Sequence, residues 1–297
     1  MADRPSLRSR VGSGVKHRLE PWRQGTARWR VLPDYLVLGA MKAGTTSFRY
    51  NIRFHPWFVR SAYKQPAYFD HHYDKGERWY RGNFPLAATM AARRRRAGGA
   101  FTGEESVSYL YNRTAAPRVA KDLPDARLIA LLRDPVRRTY SHHQMELRWG
   151  RDDRSFDEAM QGALAAFEEA GTDPDRVRAL EGQAAYDFQY IGRSVYAPQL
   201  AHWYDHVDRE RLLVLRAEDF FEDTRGVLQS VHDHLGIPRH DPETSVASNV
   251  KGGAPKMAGA TRDALVELFS PFNDQLERLL GRSMDWDLAG AVEPDRD

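Results

Sequence analysis

The chain has no cysteine among its 297 residues. Disulfides, thiolate metal sites and cysteine nucleophiles are therefore excluded, and nothing in it requires an oxidising compartment. It also lacks any apolar run near the ~18 residues needed to cross a bilayer. Met1 to Arg30 is rich in arginine but has no apolar stretch of the kind a secretory signal needs. This segment reads as a solvated basic arm on a cytoplasmic protein, with a targeting or membrane-surface segment as the alternative. Excess charge is small: 44 Lys and Arg against 41 Asp and Glu, a net +3. That suits an anionic small ligand such as a nucleotide. It does not suit the concentrated basic face of a nucleic-acid reader, so no nucleic acid partner is expected. No feature sets an oligomeric state.

Hydrophobic residues make up 41% of the chain, with seven Trp, thirteen Tyr and thirteen Phe. This suffices for one large buried core and argues against disorder. Three short apolar runs predict buried strands: Val31 to Gly39, Arg127 to Leu132 and Leu212 to Leu215. Helical patterns cover Thr45 to Phe54, Val136 to Trp149, Ser155 to Ala170, Tyr196 to Asp208, Thr224 to Leu235 and Ala260 to Leu280. Pro271 is expected to interrupt or restart the last of these. The run Arg93 to Arg96 before Gly98-Gly99 reads as an exposed helix end. Phe101 to Tyr109 offers a further strand and loop. Strands alternating with helices predict an α/β fold with a central, mostly parallel sheet flanked by helices. The expected organisation is a basic arm over 1–30, one domain over 31–288 and a tail over 289–297.

The first strand runs into Gly39-Ala40-Met41-Lys42-Ala43-Gly44-Thr45-Thr46-Ser47, and a helix follows. Small residues let backbone wrap an anion, and the helix start aims free N–H groups at it. The hydroxyls of Thr45, Thr46 and Ser47 add donors. The spacing of Gly39 and Gly44 matches a P-loop, and Thr46 takes the Ser/Thr place. But Thr45 stands where a nucleotide triphosphatase has lysine, and the lysine lies inside the loop, at Lys42. The sequence thus reads as a P-loop-like domain for a different 5' group, with no obligatory metal. A P-loop kinase is the rival it disfavours. Arg133 ends the strand over Leu128 to Leu132, and Ser141 follows eight residues later on the next helix. An Arg fork and a hydroxyl at a strand's carboxyl end suit a second, isolated phosphate. A salt bridge from Arg133 to Asp134 is the plainer alternative.

These segments resemble sulfotransferases that use 3'-phosphoadenosine 5'-phosphosulfate. Tyr35 to Ser47 looks like their 5'-phosphosulfate loop, and Leu132 to Ser141 resembles their 3'-phosphate segment. The motifs Lys64-Gln65-Pro66-Ala67-Tyr68-Phe69-Asp70 and Gly103 to Leu110, with the ending Leu279 to Arg282, are closest to the heparan-sulfate and bacterial carbohydrate types. The resemblance runs from about Pro33 to Trp286. It implies that Lys42, Ala43, Gly44, Thr45, Thr46 and Ser47 hold the 5'-phosphosulfate, and that Lys42 neutralises charge on the departing oxygen. It assigns the 3'-phosphate to Arg133 and Ser141, and a closing loop to Lys251, Gly252 and Gly253. The product would be 3'-phosphoadenosine 5'-phosphate, and the acceptor a hydroxyl of a sugar, lipid or small metabolite.

The chain departs from the family at Gln65, where related enzymes carry the glutamate that takes the acceptor's proton. An amide cannot act as a base. Glu104 is the leading replacement, with a structural carboxylate as its plainer role. His71 or His72 is a further candidate. A catalytically silent nucleotide-binding homologue is the third reading. The aromatics Tyr68, Phe69, Tyr73, Trp79 and Tyr80 divide between an acceptor cleft and the core.

Overall fold

The structure is a computed structural model and describes residues 18–241 and 257–286. Four strands form one parallel sheet: β1 (Tyr35–Gly39), β2 (Gly103–Glu104), β3 (Arg127–Leu132) and β4 (Leu212–Arg216), in the order β2-β1-β3-β4. Between them lie α1 (Thr45–Ile52), α2 (Ala87–Ala97), α3 (Ala115–Asp122), α4 (Pro135–Arg148), α5 (Phe156–Ala170), α6 (Gly182–Gly192) and α7 (Tyr196–Tyr204). After β4 come α8 (Ala217–Glu222), α9 (Thr224–Leu235) and α10 (Gly259–Leu280). The expected α/β architecture is therefore present.

The sheet is buried on both faces, which is why its strands read as unbroken apolar runs rather than alternating ones. All five residues of β1 are buried, as are Leu128 to Leu132 of β3. β2 is only two residues long. It stays close to β1 because Gly103 has no side chain: a Cβ there would lie 2.3 Å from the Tyr35 ring. Phe48 and Ile52 of α1, Tyr196 and Trp203 of α7, and Phe220 of α8 close over the sheet. A second core forms beside it, where α5 and α6 pack as a pair with Leu265 and Phe269 of α10 and Val136 and Tyr140 of α4. Arg138, wholly buried, ties α4 to α6. Its Nε donates to Ser194 Oγ at 2.5 Å and its Nη2 to the Tyr190 carbonyl at 2.5 Å.

Two sequence expectations change. The last helix runs unbroken from Gly259 to Leu280 with Pro271 inside it. An internal proline costs about 3 kcal/mol. Fully buried Leu265, Phe269 and Leu276 lie on both sides of the proline, and their burial holds the helix through it, at about 1.5–3 kcal/mol for each such side chain. The later part of the basic arm is also folded. Helix Glu20–Gly25 lies beside Trp79, whose indole N–H donates to Glu20 Oε1 at 2.6 Å, and Arg23 and Arg30 are buried. Among the described residues no helix is long and apolar enough to cross a membrane.

Candidate active site

The carboxyl ends of β1 and β3 meet at the loop between β1 and α1. The loop's first amide is tied to the sheet: Ala40 N–H donates to the Leu131 carbonyl at 2.6 Å, and Ala43 N–H to the Ala40 carbonyl at 3.1 Å. Lys42 has φ +74, a left-handed conformation that costs a non-glycine residue about 1 kcal/mol or more. Gly44 follows at φ +80 and caps α1, whose first turn is Thr45, Thr46 and Ser47. No side-chain cap bonds that helix start, and an uncapped helix start is suited to hold an anion. Gly44 is favoured by this conformation, and a Cβ there would also lie 2.7 Å from Cζ of the exposed Phe221 on α8.

Arg133 comes to the same loop from β3, donating from Nη1 to the Lys42 carbonyl at 3.3 Å. Its own carbonyl accepts from the Tyr196 hydroxyl at 2.9 Å, which fixes the strand end. Asp134, the alternative partner for Arg133, uses its carboxylate to cap α4, accepting from Arg137 N–H at 2.8 Å. Burial pushes Asp134 up to about 6. Ser141 is half-buried two turns along α4. Lys42 through Ser47 and Arg133 are thus gathered at one sheet end. Lys251, Gly252 and Gly253 lie outside the described residues.

The segment from Lys64 approaches the loop from the other side. Lys64 Nζ donates to Thr46 Oγ1 at 3.1 Å, and its backbone carbonyl accepts from Glu105 N–H at 3.1 Å. Partial burial lowers the Lys64 pKa, and the field of Glu105 opposes that shift. Sequence reasoning gave Lys64 no contact with the phosphate loop. The signal was its place one residue before Gln65, in a motif singled out for another reason.

Gln65 is exposed. Glu104 is wholly buried and enclosed by three hydroxyls: Tyr80 at 2.7 Å, Ser106 at 2.5 Å and Tyr109 at 3.2 Å. Burial pushes it up to about 7, against the pull of those donors. Its carboxylate organises the aromatic stack beneath the site, where Tyr68 and Tyr80 lie 4.5 Å apart, nearly parallel, and Phe69 meets Tyr80 edge-on at 5.1 Å. Tyr68, Phe69 and Tyr80 are core, while Tyr73 and Trp79 are half-buried. His71 is exposed at the rim, its Nε2 3.6 Å from Asp70 Oδ2. The Asp70 carboxylate also accepts from Ser108 Oγ at 2.5 Å.

The structure thus brings the start of α1, the Thr46 hydroxyl, the Lys64 ammonium and the Arg133 guanidinium to one loop, groups whose chemistry suits an oxyanion. A sulfotransferase domain model matches residues 32–253, and the chain belongs to that family. The chain is 28% identical over 279 residues to human (Homo sapiens) heparan sulfate glucosamine 3-O-sulfotransferase 3B1, covering 86% of this chain and 65% of that protein. It is 25% identical over 320 residues to the membrane-associated sulfotransferase kil1 of Dictyostelium discoideum. The chain spans just under two thirds of the length of the first of these relatives. A sulfotransferase crystal structure from Alicyclobacillus acidocaldarius shares the fold, with a TM-score of 0.62 at 24% identity over 85% of this chain and 97% of that one.

Proposed function

We propose that this chain transfers a sulfuryl group from 3'-phosphoadenosine 5'-phosphosulfate to an acceptor hydroxyl. The observation that carries the reading is the β1–α1 loop, with a lysine inside it, joined by Arg133 from the next strand. In this reading Lys42, Ala43, Gly44, Thr45, Thr46 and Ser47 bind the 5' end of the donor. Arg133 and Ser141 bind its 3'-phosphate. Positioning the hydroxyl in line and stabilising the leaving phosphate supply most of the rate, with no metal required. Lys42 neutralises the leaving oxygen, and Lys64 fixes the Thr46 hydroxyl that faces the same anion. A sugar hydroxyl is the favoured acceptor, because the chain is similar to heparan sulfate glucosamine 3-O-sulfotransferases. The reading keeps the chain in the cytoplasm, on the lack of any cysteine that would call for an oxidising compartment.

Incubation with radiosulfate-labelled donor and a panel of sugar, lipid and phenolic hydroxyls tests this. Label should pass to at least one acceptor without added magnesium. Binding of the 3',5'-bisphosphate with no transfer to any acceptor would identify a silent homologue instead.

A further inference from the structure

The departure at Gln65 leaves the reaction without its expected proton acceptor, and the structure sets another carboxylate beside it. Glu105 N–H bonds the carbonyl of Lys64, so Glu105 lies directly across from the Lys64–Gln65 peptide. Its side chain belongs to the same charged group as the phosphate loop. Lys64, which feels its field, reaches Thr46 at 3.1 Å, and Arg49 of α1 lies 3.3 Å from Glu105 Oε2. Arg53 and the Tyr35 hydroxyl, which interacts with the carboxylate, complete the polar groups facing it. Arg49 and Arg53 come from α1 and the residue after it, Tyr35 from β1 and Lys64 from its own loop.

Glu104 and Glu105 differ in what they have left to give. Both Glu104 oxygens accept from hydroxyls. Glu105 Oε2 takes no well-formed hydrogen bond among the described residues despite the nearby guanidinium. Burial of two neighbouring carboxylates raises both to about 7, so each would be matched to a proton transfer at neutral pH. Geometry separates them. Glu104 points into the aromatic stack, whereas Glu105 borders the lysine that touches the anion loop.

Resting on the proposed sulfuryl transfer, we infer that Glu105 is the general base of this chain, replacing the carboxylate absent at Gln65. The acceptor oxygen forms its bond to sulfur as the sulfur–oxygen bond to the phosphate breaks. The acceptor proton passes through one bridging water to the Glu105 carboxylate, and the leaving phosphate keeps the electron pair beside Lys42. Because Glu105 is 2% exposed, the proposed transfer is relayed rather than made by direct contact with the acceptor.

The test measures turnover of labelled donor at saturation, to water alone and to a glucosamine oligosaccharide, across pH 5 to 9, beside calorimetric affinity for the 3',5'-bisphosphate. Glu105→Gln should lower kcat about 100-fold or more and remove the acid limb of its pH profile, with bisphosphate affinity held within about twofold. Adding Gln65→Glu to that variant should restore at least about tenfold in kcat. Gln65→Glu in the otherwise unchanged chain should move the limb to lower pH, a readout that survives if Glu105→Gln folds poorly. Glu104→Gln should lower stability and leave the limb in place. The inference fails if Glu105→Gln keeps its rate and limb, if Glu104→Gln alone removes the limb, or if the wild-type chain binds bisphosphate and turns over no donor. Failure of the wild-type chain to bind the bisphosphate overturns the sulfotransferase reading itself.

Discussion

Substituting Gly44 by alanine separates two reasons for a glycine in the phosphate loop. The first is conformational. At φ +80 an L-residue with a Cβ costs roughly 1–2 kcal/mol. The second is steric, because the new methyl would lie 2.7 Å from Phe221 Cζ. Phe221 is 48% exposed, so its ring can swing into solvent, and this second cost is a few tenths of a kcal/mol at most. Gly44→Ala should therefore destabilise the protein by about 1–2 kcal/mol, or about 2–8 °C in melting temperature. Because Gly44 starts α1, displacing it should also weaken bisphosphate binding about tenfold, equivalent to roughly 1.4 kcal/mol. Urea denaturation of Gly44→Ala, Phe221→Ala and the double variant measures the terms as a cycle. Phe221→Ala should relieve only the small steric part. A double variant as stable as Phe221→Ala alone would refute the conformational argument.

Two further expectations concern buried polar groups. His55, His232 and His240 cluster between α1 and α9, with ring centroids 5.0 Å (His55–His232) and 5.5 Å (His55–His240) apart. His55 Nδ1 accepts from Trp57 N–H and its Nε2 bonds the Pro238 carbonyl, while His232 Nδ1 accepts from His240 N–H. Burial and the neighbouring rings push His232 down to about 4. The unfolded ring titrates near 6.5, so below that pH the unfolded chain binds the proton and the native one does not. Stability should then fall by on the order of 2 kcal/mol from pH 6.5 to 4, and His232→Phe should flatten that slope in pH-dependent thermal melts. Tyr109→Phe removes a hydroxyl that donates to Glu104 and accepts from Tyr68 N–H at 2.8 Å. Loss of a buried partner predicts about 1–3 kcal/mol of destabilisation in urea, against near-neutrality if the network were solvated.

Much of this was readable in the sequence because the sheet is buried on both faces. The runs Leu128 to Leu132 and Leu212 to Leu215 have no alternation to mislead, and β3 and β4 fall where the apolar runs lie. The two-residue β2 falls inside the strand and loop expected over Phe101 to Tyr109, but no apolar run marks its position there. It pairs through backbone beside Gly103, a contact made by tertiary packing rather than local pattern. Helix α6 went unrecognised because only half its residues are core-facing and its packing partner, α5, completes its apolar face. At Pro271 tertiary burial outweighs the local break that a proline favours. That the β1–α1 loop and Arg133 lie at the same sheet end was legible, because both follow strand ends. The contacts of Lys64 with Thr46 and with Glu105 were not, because they depend on a loop crossing that residue spacing does not encode.

Whether the β1–α1 loop and Arg133 grip the two phosphates of one nucleotide is measured most directly by calorimetry, titrating adenosine 3',5'-bisphosphate and adenosine 5'-monophosphate into the wild-type protein and Arg133→Ala. A charge-assisted hydrogen bond to the 3'-phosphate contributes about 1.5–3 kcal/mol, so the bisphosphate should bind the wild-type protein about 10- to 150-fold more tightly. Arg133→Ala should erase most of that difference while leaving the monophosphate nearly unaffected. Equal affinity of the wild-type protein for both nucleotides, or an equal loss of both in Arg133→Ala, would contradict the account.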